Sequence, residues 1–164
     1  KQNNGGYTVF MLAARYNTNT AIIQYLYNTF KNTIDINQQT NYGNTAFMLA
    51  AKHNTNIEVI HYLCDTFKDT IDINTQNNSS NNALMLAVQY NTNDNITQYI
   101  CITFKDTIDI TEQNTDGYRA VRLSTQYTTI ELLHVIYNSF KTKIDIHAEI
   151  IQAAEQSNAT IFNS

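Results

Sequence analysis

Apolar residues along the chain fall into pairs of short blocks separated by polar stretches. One pair is Ala46-Phe47-Met48-Leu49-Ala50-Ala51, followed by Ile57, Val59, Ile60, Leu63, Cys64 and Phe67. In the second block Ile60, Leu63, Cys64 and Phe67 follow at steps of 3, 1 and 3, one stripe of a 3.6-residue period, which predicts an amphipathic helix. The first block predicts a second helix whose Ala50-Ala51 pair offers a small face for close packing. Between the blocks stands Asn54-Thr55-Asn56, matched by Asn17-Thr18-Asn19 and Asn91-Thr92-Asn93. Asparagine tolerates the left-handed conformation that ends many helices, so these loops are expected to close the first helix and return the chain antiparallel. An Ile-Asp-Ile segment and a polar stretch containing Gly6, Gly43 or Gly117 then predict a protruding extended turn.

The whole unit recurs. Thr66-Phe67-Lys68-Asp69-Thr70-Ile71-Asp72-Ile73 returns as Thr103-Phe104-Lys105-Asp106-Thr107-Ile108-Asp109-Ile110, a spacing of 37. The same frame holds Thr29 to Ile36 upstream and, after a step of 36, Ser139 to Ile146 downstream. A period of this size means a stack in which each unit leaves an apolar face for its neighbour to cover. The expected architecture is all-α, a solenoid of helix, loop, helix and protruding turn. Its repeats fall at about 4–37, 41–74, 78–111 and 115–147, followed by a capping or partial-repeat helix within 148–164, at about Ala148 to Gln156.

This unit resembles the ankyrin repeat, on the strength of Gly43-Asn44-Thr45-Ala46-Phe47-Met48-Leu49-Ala50-Ala51, Ile57-Glu58-Val59-Ile60 and Ile71-Asp72-Ile73-Asn74. The resemblance implies the family's fold, a curved array with a concave face, and its usual work of binding other proteins. The sequence departs from the family pattern in identifiable places. The usual Thr-Pro-Leu-His opening stands here as Thr45-Ala46-Phe47-Met48, so the helix-starting Pro and the hydrogen-bonding His are absent, and the third copy replaces the Thr with Asn82. The extra length over the usual 33 residues falls between the helices and around Phe67-Lys68-Asp69-Thr70, expected as a longer second helix and loop.

Composition adds exclusions. Asn and Thr exceed a quarter of the 164 residues, a bias that accompanies disorder, but 43% of the chain is hydrophobic and regularly placed. A chain of this size buries a core without disulfide or metal. Net charge is −4 and the ten Lys and Arg residues are scattered, which argues against nucleic acid as a partner. No apolar run approaches a membrane span, and Lys1 to Gly6 carries no apolar leader. The expected setting is intracellular and cytoplasmic, a host cell's cytoplasm if the source is a pathogen or virus.

Chemistry-bearing residues mostly repeat by register, which points to structure. Asp35, Asp72, Asp109 and Asp145 recur once per unit and are expected to accept from turn amides. His53, His61, His134 and His147 match no metal-binding spacing, and no cofactor is expected. Cys64 and Cys101 share one apolar register in adjacent second helices and are expected as buried free thiols, since stacked helices stand too far apart for a bridge. The sequons at Asn78, Asn95 and Asn158 arise by chance in so Asn- and Thr-rich a chain. Neither an enzyme nor a small-molecule substrate is indicated.

One register stands apart. Each first helix ends on a long polar side chain and a ring: Arg15-Tyr16, Lys52-His53, Gln89-Tyr90 and Gln126-Tyr127. In ankyrin-like stacks these slots face the concave side. The rings either stack along the array as a seal on the core or form a binding stripe, since aromatic and Arg side chains dominate interface hot spots. With the turn tips, the candidate partner-binding set is Arg15, Tyr16, Tyr42, Asn44, Lys52, His53, Gln89, Tyr90, Tyr118 and Tyr127. The expected function is a scaffold or adaptor that binds another protein. The alternative is a spacer or regulatory segment of a larger protein, suggested by the non-Met start and an internal-looking first repeat.

Overall fold

A computed structural model describes residues 1–143 together with Asp145, Ala148 and Ile151. The expected helix at about Ala148 to Gln156, His147 and the sequon at Asn158 lie outside the described residues, apart from Ala148 and Ile151 themselves.

Within residues 1–143 eight α-helices follow in pairs: α1 (Val9–Tyr16), α2 (Thr20–Phe30), α3 (Ala46–His53), α4 (Ile57–Phe67), α5 (Ala83–Tyr90), α6 (Asp94–Phe104), α7 (Ala120–Tyr127) and α8 (Ile130–Phe140). No strand occurs among the described residues. The first helices α1, α3 and α5 each start at a side-chain cap. Thr8 and Thr45 accept from the amides of Met11 and Met48 at 3.1 and 3.2 Å, and Asn82 accepts from Met85 at 3.0 Å, so the Asn of the third copy caps as well as Thr. Arg119 offers α7 no such bond. The second helices start on Asn19, Asn56 and Asn93, whose side chains accept from Ala21, Glu58 and Asn95.

Two rows of helices result, α1 on α3 on α5 on α7 and α2, α4, α6 and α8 beside them. The core lies between the rows and between successive pairs. Ile60, Leu63, Cys64 and Phe67 are all buried, as are Leu49 and Leu86 at equivalent places in α3 and α5. Phe67 meets Phe10 of the preceding unit edge-on at 5.8 Å, and Phe104 meets Phe47 at 5.7 Å. The extra residues of the long repeat do not lengthen α4, which ends at Phe67; Lys68 to Thr70 form a turn, and Lys31–Thr33 a single 3-10 turn.

The interhelix loops overturn an expectation. Asn17, Asn54 and Asn91 have extended backbones, with φ −93°, −79° and −79°, and none is left-handed. The physical reason is the side chain. Asn54 is buried, its amide donating to the carbonyls of Ala14 and Asn17 at 2.9 and 3.0 Å while its oxygen accepts from the Asn56 amide at 2.9 Å. Asn91 repeats this on Ala51 and Asn54 at 2.7 and 3.0 Å, and Asn56 and Asn93 donate to Thr18 and Thr55. Left-handed residues occur instead at the turn tips, where Gly6, Gly43 and Gly117 have φ of 79°, 77° and 74° and Ser80 takes the third copy's place at 55°. A Cβ on Gly43 would lie 2.6 Å from the Asn78 side-chain oxygen of the next turn, so close stacking demands glycine there as well.

Phe30 holds the register of Phe67, Phe104 and Phe140, which are 8%, 6% and 0% exposed, yet it is 51% exposed. With Val9, Phe10, Leu26 and Ile34 it lines a cleft of about 270 Å³.

Leu49→Ala or Leu86→Ala is expected to cost about 2 to 5 kcal/mol in denaturant melts. Asn54→Ala should cost about 1 to 3 kcal/mol, because it leaves two carbonyls of the preceding unit unpaired; a loss no larger than that of the exposed Thr55→Ala would refute the clamp. In hydrogen exchange, α1 and α2 should exchange faster than α3 to α6, since exposed Val9 and Phe30 leave that pair less well packed. Equal protection across these helices would mean that these side chains are covered in solution.

Candidate functional site

The repeated acids act as expected within their turns. Asp35, Asp72 and Asp109 accept from the backbone amides of Asn37, Asn74 and Thr111 at 2.9, 3.1 and 2.9 Å, and Asp145 accepts from Ala148. The bonds from Thr111, helped by Lys143, hold the Asp109 carboxyl below its ordinary range. Cys64 and Cys101 are free and buried, as expected. Burial pushes both thiols up to about 12, aided at Cys64 by Asp65, which removes the thiolate needed for nucleophilic chemistry. His61 packs on the Tyr99 ring at 4.3 Å and lies 3.6 Å from Glu58. Among the described residues no group of three or more His, Cys, Asp or Glu is placed to hold a metal.

The first-helix ends and the turns make a different arrangement. Arg15, Lys52, His53, Tyr42 and Asn44 line one cleft of about 290 Å³, together with Tyr7, Leu49, Asn77, Asn78 and Ser79. The stacked first helices α1 and α3 set Arg15 and Lys52 one repeat apart in register. The turns forming the opposite wall are tied to each other: the Asn78 amide donates to the Tyr42 carbonyl at 3.1 Å and its side chain to the Asn41 carbonyl at 3.0 Å. Asn77 accepts from the Ser79 and Asn81 amides and donates to the Asn44 side chain at 2.9 Å, so this wall is pre-formed.

Rings of this register do not stack on one another among the described residues; cations cover two of them, Tyr16 and Tyr90, and also Tyr118 before α7. The Lys52 ammonium sits 4.1 Å from the centre of the Tyr90 ring, one unit on. The guanidinium of Arg15 lies 4.7 Å from Tyr16 and that of Arg122 lies 4.0 Å from Tyr118. Tyr16, Tyr42, Tyr90 and Tyr127 are exposed, whereas Gln89, Tyr118 and Asn44 are half-buried. The cleft itself does not include Tyr16, Gln89, Tyr90, Tyr118 or Tyr127. Tyr7, Leu49, Asn77, Asn78 and Ser79 line the cleft from outside the candidate set; the Tyr7 hydroxyl accepts from Arg15 at 3.4 Å, and only its place before the Thr8 cap, shared with Asn44 and Tyr118, could have flagged it.

Electrostatics mark the cleft. Partial burial of His53, then the charges of Arg15 and Lys52, press its imidazole down to about 4. Burial first and Arg15 second lower Lys52 as well. Arg15 Nε is buried with no hydrogen-bond partner.

Among the described residues no helix is long and apolar enough to cross a membrane. Residues 1–77, which contain α1 to α4, match the family model of ankyrin repeats (3 copies). No curated protein matches the chain.

Between pH of about 6.5 and about 4 the unfolded chain protonates His53 while the folded chain leaves it neutral. The unfolded state binds the extra proton, so stability falls as pH drops through that window. His53→Gln should flatten the fall of melting temperature from pH 7 to 4.5; an unchanged slope would place the sensitivity elsewhere.

Proposed function

From a chain built of ankyrin repeats, which are in general protein-protein interaction modules, we propose a non-catalytic scaffold or adaptor that holds a partner protein on the face made by its first helices and turns. The observation that carries this reading is the pre-formed cleft of about 290 Å³ whose walls vary between copies while the buried frame repeats. Exposed Tyr42 lines it and exposed Tyr90 lies under Lys52 at its edge, and large exposed rings on a rigid frame suit interface anchors. A second reading, a spacer or regulatory unit of a larger assembly, draws on the uncovered Phe30 and the apolar cleft around it.

A photo-crosslinking amino acid placed at Tyr42 or Tyr90 should capture the partner in extracts of the source cell, and one at exposed Tyr25 on α2 should not. With that partner in hand, Tyr90→Ala should weaken binding by more than about 1 kcal/mol while helical circular dichroism is kept. A lowered melting temperature with unchanged affinity would assign Tyr90 to the frame, and crosslinks confined to Tyr25 would overturn the reading.

A further inference from the structure

The chain carries 14 Asp and Glu residues, and none lies in 1–16, 37–53 or 74–90, the three stretches that supply the turns and first helices α1, α3 and α5. In a chain of net charge −4 this leaves the first three units of that face with cations unopposed, whereas the fourth brings in Glu112 and Asp116. Arg15 and Lys52 line the cleft there, and among the described residues the one ion pair is His61 with Glu58, on α4. Arg15 is under-used: Nε has no partner and Nη1 makes one long bond of 3.4 Å to Tyr7. A guanidinium with free donors in a partly dry site is the group best matched to a carboxylate, which it binds through two parallel bonds. The Lys52 ammonium lies over the Tyr90 ring and makes no hydrogen bond or ion pair among the described residues, which leaves its donors for an anion.

We propose that this cleft receives an acidic segment of the partner protein, with its carboxylates paired to Arg15 and Lys52 and its apolar side chains against Tyr7, Tyr42 and Leu49. The inference rests on the reading that this face binds a protein, and it adds the partner's chemistry. Charge complementarity selects the occupant. Two permanent cations are too few for a nucleic-acid strand, whose affinity grows with the number of phosphates neutralised. Neutral donors from Asn44, Asn77, Asn78 and Ser79 complete a lining that contains no carboxylate to repel an acidic chain.

The test is selection of a displayed dodecapeptide library on the immobilised full chain. Selected peptides should be enriched in Asp and Glu, and their affinity should fall roughly tenfold or more in Lys52→Gln and in Arg15→Gln, as loss of one partner of a close charge pair does. Raising salt from about 50 to about 500 mM should weaken them further. Lys52→Gln keeps the result interpretable, since the ammonium makes no hydrogen bond within the described residues, and circular dichroism checks the fold of both variants. Peptides without acid enrichment that lose affinity in Tyr42→Ala would overturn the acidic chemistry and leave the binding face standing. Peptides indifferent to Arg15, Lys52, Tyr42 and Tyr90 variants alike would overturn both. No retained peptide, or a single-stranded dodecanucleotide bound more tightly than the best peptide, would also overturn the proposal.

Discussion

Carbonyls in the last turn of a helix have no partner within it, and burying them unpaired costs free energy comparable to a lost hydrogen bond. In this chain the partner comes from the next repeat. Asn54 reaches back to Ala14 and Asn17, and Asn91 to Ala51 and Asn54, so the ends of α1 and α3 are completed only when the following unit is in place. Apolar contacts such as Phe47 on Phe104 tolerate a small slide, but two hydrogen bonds from one planar amide do not. The 37-residue register, the close stacking of the first helices and the alignment of the turns follow from that clamp. The turns repeat the device, with Asn37 and Asn74 donating to Thr70 and Thr107 and accepting from Asp72 and Asp109. An Asn-rich composition is thus the chemistry of the stack.

The clamp also explains where the array weakens. In the fourth unit Thr128 stands in the loop, and its hydroxyl bonds to Ser124 of its own helix instead of to α5. The step from the third unit is one residue shorter, and the loop contact becomes Thr129 on the Asp94 side chain. With Arg119 supplying no side-chain cap, α7 loses both of the polar devices that hold α3 and α5.

Helix positions and the buried stripe of Ile60, Leu63, Cys64 and Phe67 were legible because helical periodicity is local and the repeat states it several times. The role of Asp35 and its copies was legible for the same reason. Asn54 was misread, since its partners lie 37 and 40 residues upstream and no local window contains them; its loop position pointed to a cap when its recurrence at a constant spacing pointed to a bridge. The cover of Tyr90 by Lys52 escaped notice likewise, as the pair spans 38 residues and two different slots of the unit. The register that held Arg15, Lys52 and His53 was visible in the sequence, whereas their convergence with Tyr42 and Asn44 in one cleft required the stacking geometry.

A cation in the last turn of a helix also interacts favourably with the helix dipole, by about 0.3 to 1 kcal/mol, and this could account for Arg15, Lys52 and His53 without any partner. The third unit argues against that as a sufficient reason. Helix α5 ends on Gln89 and Tyr90 with no basic residue in its last turn, yet it has the same eight-residue length as α3, the same kind of cap and the same Asn clamp after it. The frame therefore forms without a cation in this slot. Desolvation works against Lys52 and His53 where they stand, and Arg15 adds like-charge repulsion to both. A slot that takes the same form with glutamine but holds unopposed positive charge in two adjacent units has a charge that the helix geometry does not require, and an anion from outside the chain would relieve both the repulsion and the unused donors at once.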